Sequence, residues 1–275
     1  MPADLDAAVR AVVPDVLAPG SGGAPGDPGP QPRGVVPRVG WRPDAVGRWS
    51  SPVARRLADT AGRPAGPLAC HLAVALAERL GHVGSDAFVE VVGDGFLAVT
   101  PGRRDLAGVV TAVLAAGPAY GRPPDPVRAL VVDPSVPQRR TPENPLFVVM
   151  WAHARCHVLP ERHGAAGSSA TPMTPPASTA TSSPSPPSTA ERLLVLRLAD
   201  LPRAVLSAGG DPATVLRRLH EVALSAHRWL DELGALDGSD PPPRRAAGSP
   251  ALAVAARVVL ATGLDVLGLP APDHL

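Results

Sequence analysis

Two adjacent Cys-His pairs, Cys70-His71 and Cys156-His157, are the side chains in this sequence best suited to hold a metal or to set a thiol nucleophile beside a base. Their spacing argues against both. Zinc sites draw on ligand pairs separated by two to four residues, and neighbours on a helix point about 100° apart. Both cysteines also lie in apolar helical runs, where a thiol behaves as a small hydrophobe. The sequence has no Lys, so no Gly-rich phosphate loop can end in one. Neither a G-x-S-x-G elbow nor an H-E-x-x-H pair occurs. The expectation is therefore no catalytic residue, no metal and no cofactor.

Composition narrows the class further. The 275 residues carry 26 basic and 25 acidic side chains, a net charge of +1, which excludes a protein that holds nucleic acid by bulk charge alone. A 45% hydrophobic share allows a packed core. With two Cys there is no disulfide scaffold, which suits a reducing cytoplasm. No stretch of roughly 18 apolar residues suggests a membrane span. Met1 to Arg10 carries Asp4 and Asp6 and no basic run, unlike a secretory leader.

The elements that must position any site read as α+β: a small N-terminal α+β domain followed by an all-α bundle. Val9, Val12, Val13 and Val16 give Asp4–Leu17 a helical stripe, and Leu68, Leu72, Leu76 and Leu80 do the same after the breakers Gly62, Pro64 and Gly66. Phe88–Val92 and Phe96–Thr100 flank Gly93-Asp94-Gly95, the pattern of a hairpin. Asp105–Ala116 is a helix closed by Gly117-Pro118. Asn144-Pro145 opens a helix expected to end before Pro160, and Glu191–Ala199 and Pro202–Ala208 read as two pieces. Asp211-Pro212 opens a long helix ending at Gly234, with an apolar arc of Leu216, Leu219, Ala223, Ala226 and Leu230. Ser249-Pro250 opens the last. Residues 20–33 read as a flexible loop, and 164–190, uncharged and rich in Ser, Thr, Pro and Ala, as a disordered insertion.

The run Asn144-Pro145-Leu146-Phe147-Val148-Val149-Met150-Trp151-Ala152-His153-Ala154-Arg155 resembles the opening helix of the DALR anticodon-binding bundle of arginyl-tRNA synthetases. There Asn-Pro leads into Tyr-Val-Gln-Tyr and then Ala-His-Ala-Arg. Here Val148, Met150 and Trp151 stand in place of Tyr, Gln and Tyr. Ala226-His227-Arg228-Trp229-Leu230 is similar to the family's Phe-His-x-Phe-Tyr segment, and Val258–Gly268 to its terminal helix. Earlier, Gly47–Ala54 and Val91–Leu97 resemble segments of its N-terminal domain. Tyr120-Gly121 is followed within a few residues by Asp125–Leu130, which resembles the stretch after the family's KMSK loop, so the nucleotide-binding core between them has no counterpart here. Gly81-His82-Val83 is no substitute for its HIGH motif.

This resemblance implies an N-terminal-like domain over 1–121, a connector over 122–143 and a DALR domain over 144–275. It implies a catalytically silent relative that binds tRNA, of arginine type, through the bundle, with Trp229, Arg228, Arg155 and His153 as contacts. Trp229, placed near the bundle surface, would stack on an unstacked base. The alternative is a protein–protein interaction module that has lost RNA binding, or an accessory subunit in arginyl-tRNA formation. Loss of polar groups at Val148, Met150 and Pro52 favours that alternative. So does the charge from Asp125 onward, 14 Arg against 14 Asp plus Glu.

Overall fold

The computed structural model describes residues 2–17, 39–123, 140–167, 186–234 and 250–274. The chain forms two compact units, Met1–Leu106 and Ala107–Leu275. The division falls earlier than the expected boundary at 121, because Tyr120 belongs with the second unit: its hydroxyl donates to the Leu198 carbonyl oxygen at 3.2 Å. The loop expected at 20–33, most of the connector and the Ser249 cap lie outside the described residues.

In the first unit α1 (Pro2–Leu17) turns Leu5, Val9, Val12 and Val13 inward against α3 (Ala65–His82). The helix α2 (Val53–Ala61) ends at Gly62, whose φ of 61° suits a residue without Cβ. Four strands form an antiparallel sheet in the order β1-β2-β4-β3. Here β3 (Phe88–Val92) and β4 (Phe96–Thr100) are the expected hairpin, with Phe88 opposite Thr100. The strands β1 (Arg42–Pro43) and β2 (Trp49–Ser51) were not foreseen, since two or three residues carry no period. Trp41 and Trp49 lie wholly buried beside them. After β4 the Asp86 carboxylate accepts from the Arg104 and Asp105 amides, at 3.0 and 3.2 Å, and so caps α4 (Arg103–Ala116).

The second unit is a helical bundle. The helix α5 (Pro145–Gly167) packs on α7 (Pro212–Glu232) and α8 (Pro250–Val266), and α6 (Thr189–Ser207) packs on α7. Asn144 and Asp211 cap as expected, accepting from the amides of Leu146 and of Ala213 and Thr214. Two proline expectations are corrected. The helix α5 runs past Pro160, and α6 is one helix through Pro202. Proline removes a hydrogen bond and costs about 3 kcal/mol inside a helix. In α6 the buried face Leu198, Leu201 and Val205 continues across the break and holds it. The insertion expected at 164–190 is helical at both ends. Gly164–Gly167 extends α5, and Ser188 starts α6 by accepting from the Glu191 amide at 3.1 Å, so residues 189 and 190 are the first of that helix. Residues 168–185 are outside the description. In α7 it is Val215, not Leu216, that is buried with Leu219, Ala223, Ala226 and Leu230.

At Gly263 the helices α7 and α8 approach closely. A Cβ added at Gly263 would lie 2.1 Å from Leu219 Cδ2. Gly263→Ala should therefore cost about 1–3 kcal/mol by overpacking. Gly108→Ala, in the interior of α4 where nothing lies within 4 Å of such a Cβ, should instead stabilise by about 0.4–1 kcal/mol. Urea unfolding of both variants checks the contrast in sign.

Candidate nucleic-acid interface

Phe147, Trp151 and Arg155 are spaced four apart on α5 and so share one face of it. His227 and Asp231, also four apart, face them from α7. Phe147 and Trp151 stack with ring centroids 5.9 Å apart and planes 17° from parallel. Trp151 also lies 4.5 Å from the His227 ring, tilted by 45°. The Arg155 guanidinium sits over the Trp151 ring at 5.4 Å, a cation–π geometry. Trp151 remains 41% exposed, and its ring is the large aromatic surface open to solvent in this bundle.

Hydrogen bonds fix the arrangement beneath that ring. Arg155 Nη1 donates to His227 Nδ1 at 2.9 Å, and Nη2 donates to Asp231 Oδ1 at 2.7 Å. A guanidinium only donates, so His227 Nδ1 is the unprotonated nitrogen. Its Nε2–H then donates to the Val148 carbonyl oxygen at 3.1 Å. Burial holds the His227 pKa below its ordinary value, and the nearby Arg155 charge pushes in the same direction, against the Val148 bond and Asp231. Arg155 Nε is buried with no hydrogen-bond partner among the described residues.

The four sequence-derived contacts are not brought together. Arg155 belongs to the cluster. Arg228 is exposed on α7, beside His227 in sequence. His153 is 3% exposed and stands two residues, about 200°, from Trp151 and Arg155 around α5. Its Nδ1 is 2.8 Å from the Pro272 carbonyl oxygen, to which it donates. Trp229 is corrected outright. It is 1% exposed, so no base can reach its ring. Ala226, Trp229 and Leu230 have the i, i+3, i+4 spacing of a buried stripe, and that spacing was the signal for its burial. Trp151, which the sequence reading gave no contact role, is the exposed aromatic of this cluster, and its position midway between Phe147 and Arg155 at helical spacing was the clue.

Both cysteines of the Cys-His pairs are free. Cys156 is buried, and burial pushes its thiol pKa up to about 12, whereas Cys70 is exposed. Among the described residues no group of three His, Cys, Asp or Glu side chains could bind a metal. The pair Arg217-Arg218 divides: Arg217 is exposed, while Arg218 and Arg197 both bond the Glu221 carboxylate and so tie α6 to α7. No helix among the described residues is long and apolar enough to cross a membrane.

The family model for the DALR anticodon binding domain matches residues 149–275, so this helical bundle is similar to such a domain. It is similar to arginine–tRNA ligases. Identity is 34% over 150 residues with that of Frankia alni, covering 54% of this chain and 26% of that protein. It is 30% over 149 residues with that of Clavibacter sepedonicus, covering 53% and 26%. The chain spans about a quarter of the length of the curated relatives it matches. The structure of the Thermus thermophilus arginyl-tRNA synthetase shares 29% identity over 46% of this chain and 20% of its own, with a TM-score of 0.31.

The depressed pKa of His227, and of His153, which burial also lowers, sets a pH dependence. The unfolded chain takes up protons near the ordinary value of 6.5, and the folded chain does not until lower pH. Stability should be level above that value and fall as the pH drops through it. Urea midpoints from pH 8 to about 5 test this, and His227→Gln should flatten the fall.

Proposed function

We propose that this chain binds tRNA, of arginine type, in the cytoplasm without charging it, and that an unpaired base stacks on Trp151. The observation that carries this reading is the 41% exposed Trp151 ring, braced by Phe147 on one side and by Arg155 and His227 beneath. Stacking of a base on an aromatic side chain is tolerant of sequence and needs no bulk positive charge. That suits a half in which Arg and acidic residues balance. The similarity to arginine–tRNA ligases supports tRNA as the ligand, and the family match supports the anticodon loop as the part bound. Arg155 is held by His227 and Asp231, so its role is to position the ring, while exposed Arg228 supplies a phosphate contact.

On this reading the anticodon-binding bundle runs from Asn144 onward, preceded by an N-terminal-like domain that ends before Tyr120. A second reading, docking of a protein partner on the same aromatic face, is favoured by the apolar Val148 and Met150 where the resembling family has polar residues. Titration of labelled total tRNA across salt separates the two. Under the RNA reading Trp151→Ala weakens binding by roughly ten- to a hundredfold, the value of one stacked base, and leaves the helical circular dichroism intact. Arg228→Ala lowers the log–log salt slope by about 0.7–0.9. Absence of saturable binding at low salt favours the protein-docking reading. Trp229→Ala should act differently, costing about 3–5 kcal/mol of stability as a core truncation.

The sequence offers no counterpart to the nucleotide-binding core and contains no Lys. The purified chain with ATP, arginine and tRNA should therefore form no arginyl-tRNA above background. Arginine-dependent pyrophosphate exchange by the pure chain would refute this.

A further inference from the structure

On the side of α5 away from Trp151, where His153 lies, the second unit carries an open cleft of about 400 Å³. That volume falls in the usual range of small-molecule sites, roughly 300–1,000 Å³. Its charged lining is two guanidiniums, Arg122 and Arg257, and two carboxylates, Asp265 and Asp273. They are not used alike. Arg122 and Asp265 pair with each other. Asp273 is 58% exposed and 3.8 Å from the His157 ring. Arg257 is half-buried, and among the described residues no carboxylate or other acceptor lies within bonding distance of it. Its charge is near enough to act on both His153 and Cys156. A half-buried guanidinium with no bonded acceptor has its donors open to a ligand, and its planar fork matches a carboxylate. The remaining wall is apolar, from Pro118, Val258 and Ala261.

We propose that this cleft binds a small zwitterion of the α-amino-acid type. Its carboxylate bonds the free fork of Arg257, its ammonium faces Asp273 and its apolar remainder lies on Val258 and Ala261. The lining sums to zero charge, two plus and two minus, which fits a ligand that is itself neutral overall. A phosphate dianion would meet two carboxylates with one guanidinium left to bind it. The site is on a different face from the aromatic one and does not depend on the RNA reading.

Isothermal titration of the full chain with L-leucine, 4-methylpentanoate and inorganic phosphate tests the proposal. 4-Methylpentanoate is leucine without its ammonium. The expected result is saturable leucine binding at least tenfold tighter than 4-methylpentanoate, with phosphate weaker than both. Arg257→Ala should abolish leucine binding, and Asp273→Asn should erase most of the preference for leucine over 4-methylpentanoate. Trp151→Ala should leave all three titrations unchanged. Circular dichroism checks that the variants fold, and Arg257→Gln replaces Arg257→Ala if the latter does not. Equal binding of leucine and 4-methylpentanoate, phosphate binding as tight as leucine, unchanged binding by the Arg257 variant, or no saturable binding of any probe would each overturn the proposal.

Discussion

Arg155 cannot shed its charge, yet its side chain is 8% exposed at the seam of α5 and α7. Burying a guanidinium is tolerable only when its donors are satisfied and a counter-charge is close. Asp231 supplies the charge from the rim, where it keeps its own contact with water. His227 supplies an acceptor from within, and it can do so only as a neutral ring with the proton on Nε2. The Val148 carbonyl takes that proton's hydrogen bond, which ties the tautomer to the backbone of α5 itself. Trp151 then closes over the guanidinium, and having one face occupied it must leave the other part of its ring outside. The exposed aromatic surface is thus a consequence of solving a burial problem on the neighbouring turn.

Several arginines of this chain are spent on internal pairing. Arg48 is held by Asp44 and Glu90, Arg203 by Asp200, and Arg197 and Arg218 share Glu221. Arg217 and Arg228 are exposed on α7 without an ion pair among the described residues. Whatever this face contacts, recognition has to come from local shape and one aromatic ring rather than from a field. A net charge of +1 also gives association little electrostatic steering, so salt should matter less than for a basic RNA-binding domain.

Much of the fold was legible because it repeats. The leucine stripe of α3, the valine stripe of α1 and the Gly-Asp-Gly hairpin all have a period or a turn signature that survives without tertiary information. The strands Arg42–Pro43 and Trp49–Ser51 were not legible, because their pairing is decided by β4 and not by their own residues. The prolines misled for the opposite reason: Pro202 breaks a local rule, and the buried stripe on either side of it overrules the break. At the site, sequence motifs found the two helices that carry the aromatic cluster but placed Trp229 near the surface, whereas it is buried, because what decides is which face each helix turns to its neighbours. Of the four expected contacts Arg228 is exposed, while Arg155, His153 and Trp229 are buried.

The two thiols differ in a way that outlasts any question of metal or catalysis. Cys156 is sealed in the bundle and stays a thiol far above neutral pH, whereas Cys70 stands exposed on α3 of the other unit. A thiol-directed probe added to the native chain therefore has one address. Uptake of a second equivalent would mark the moment when the bundle opens, so the chain carries its own chemical clock for local unfolding, read against a constant background from Cys70.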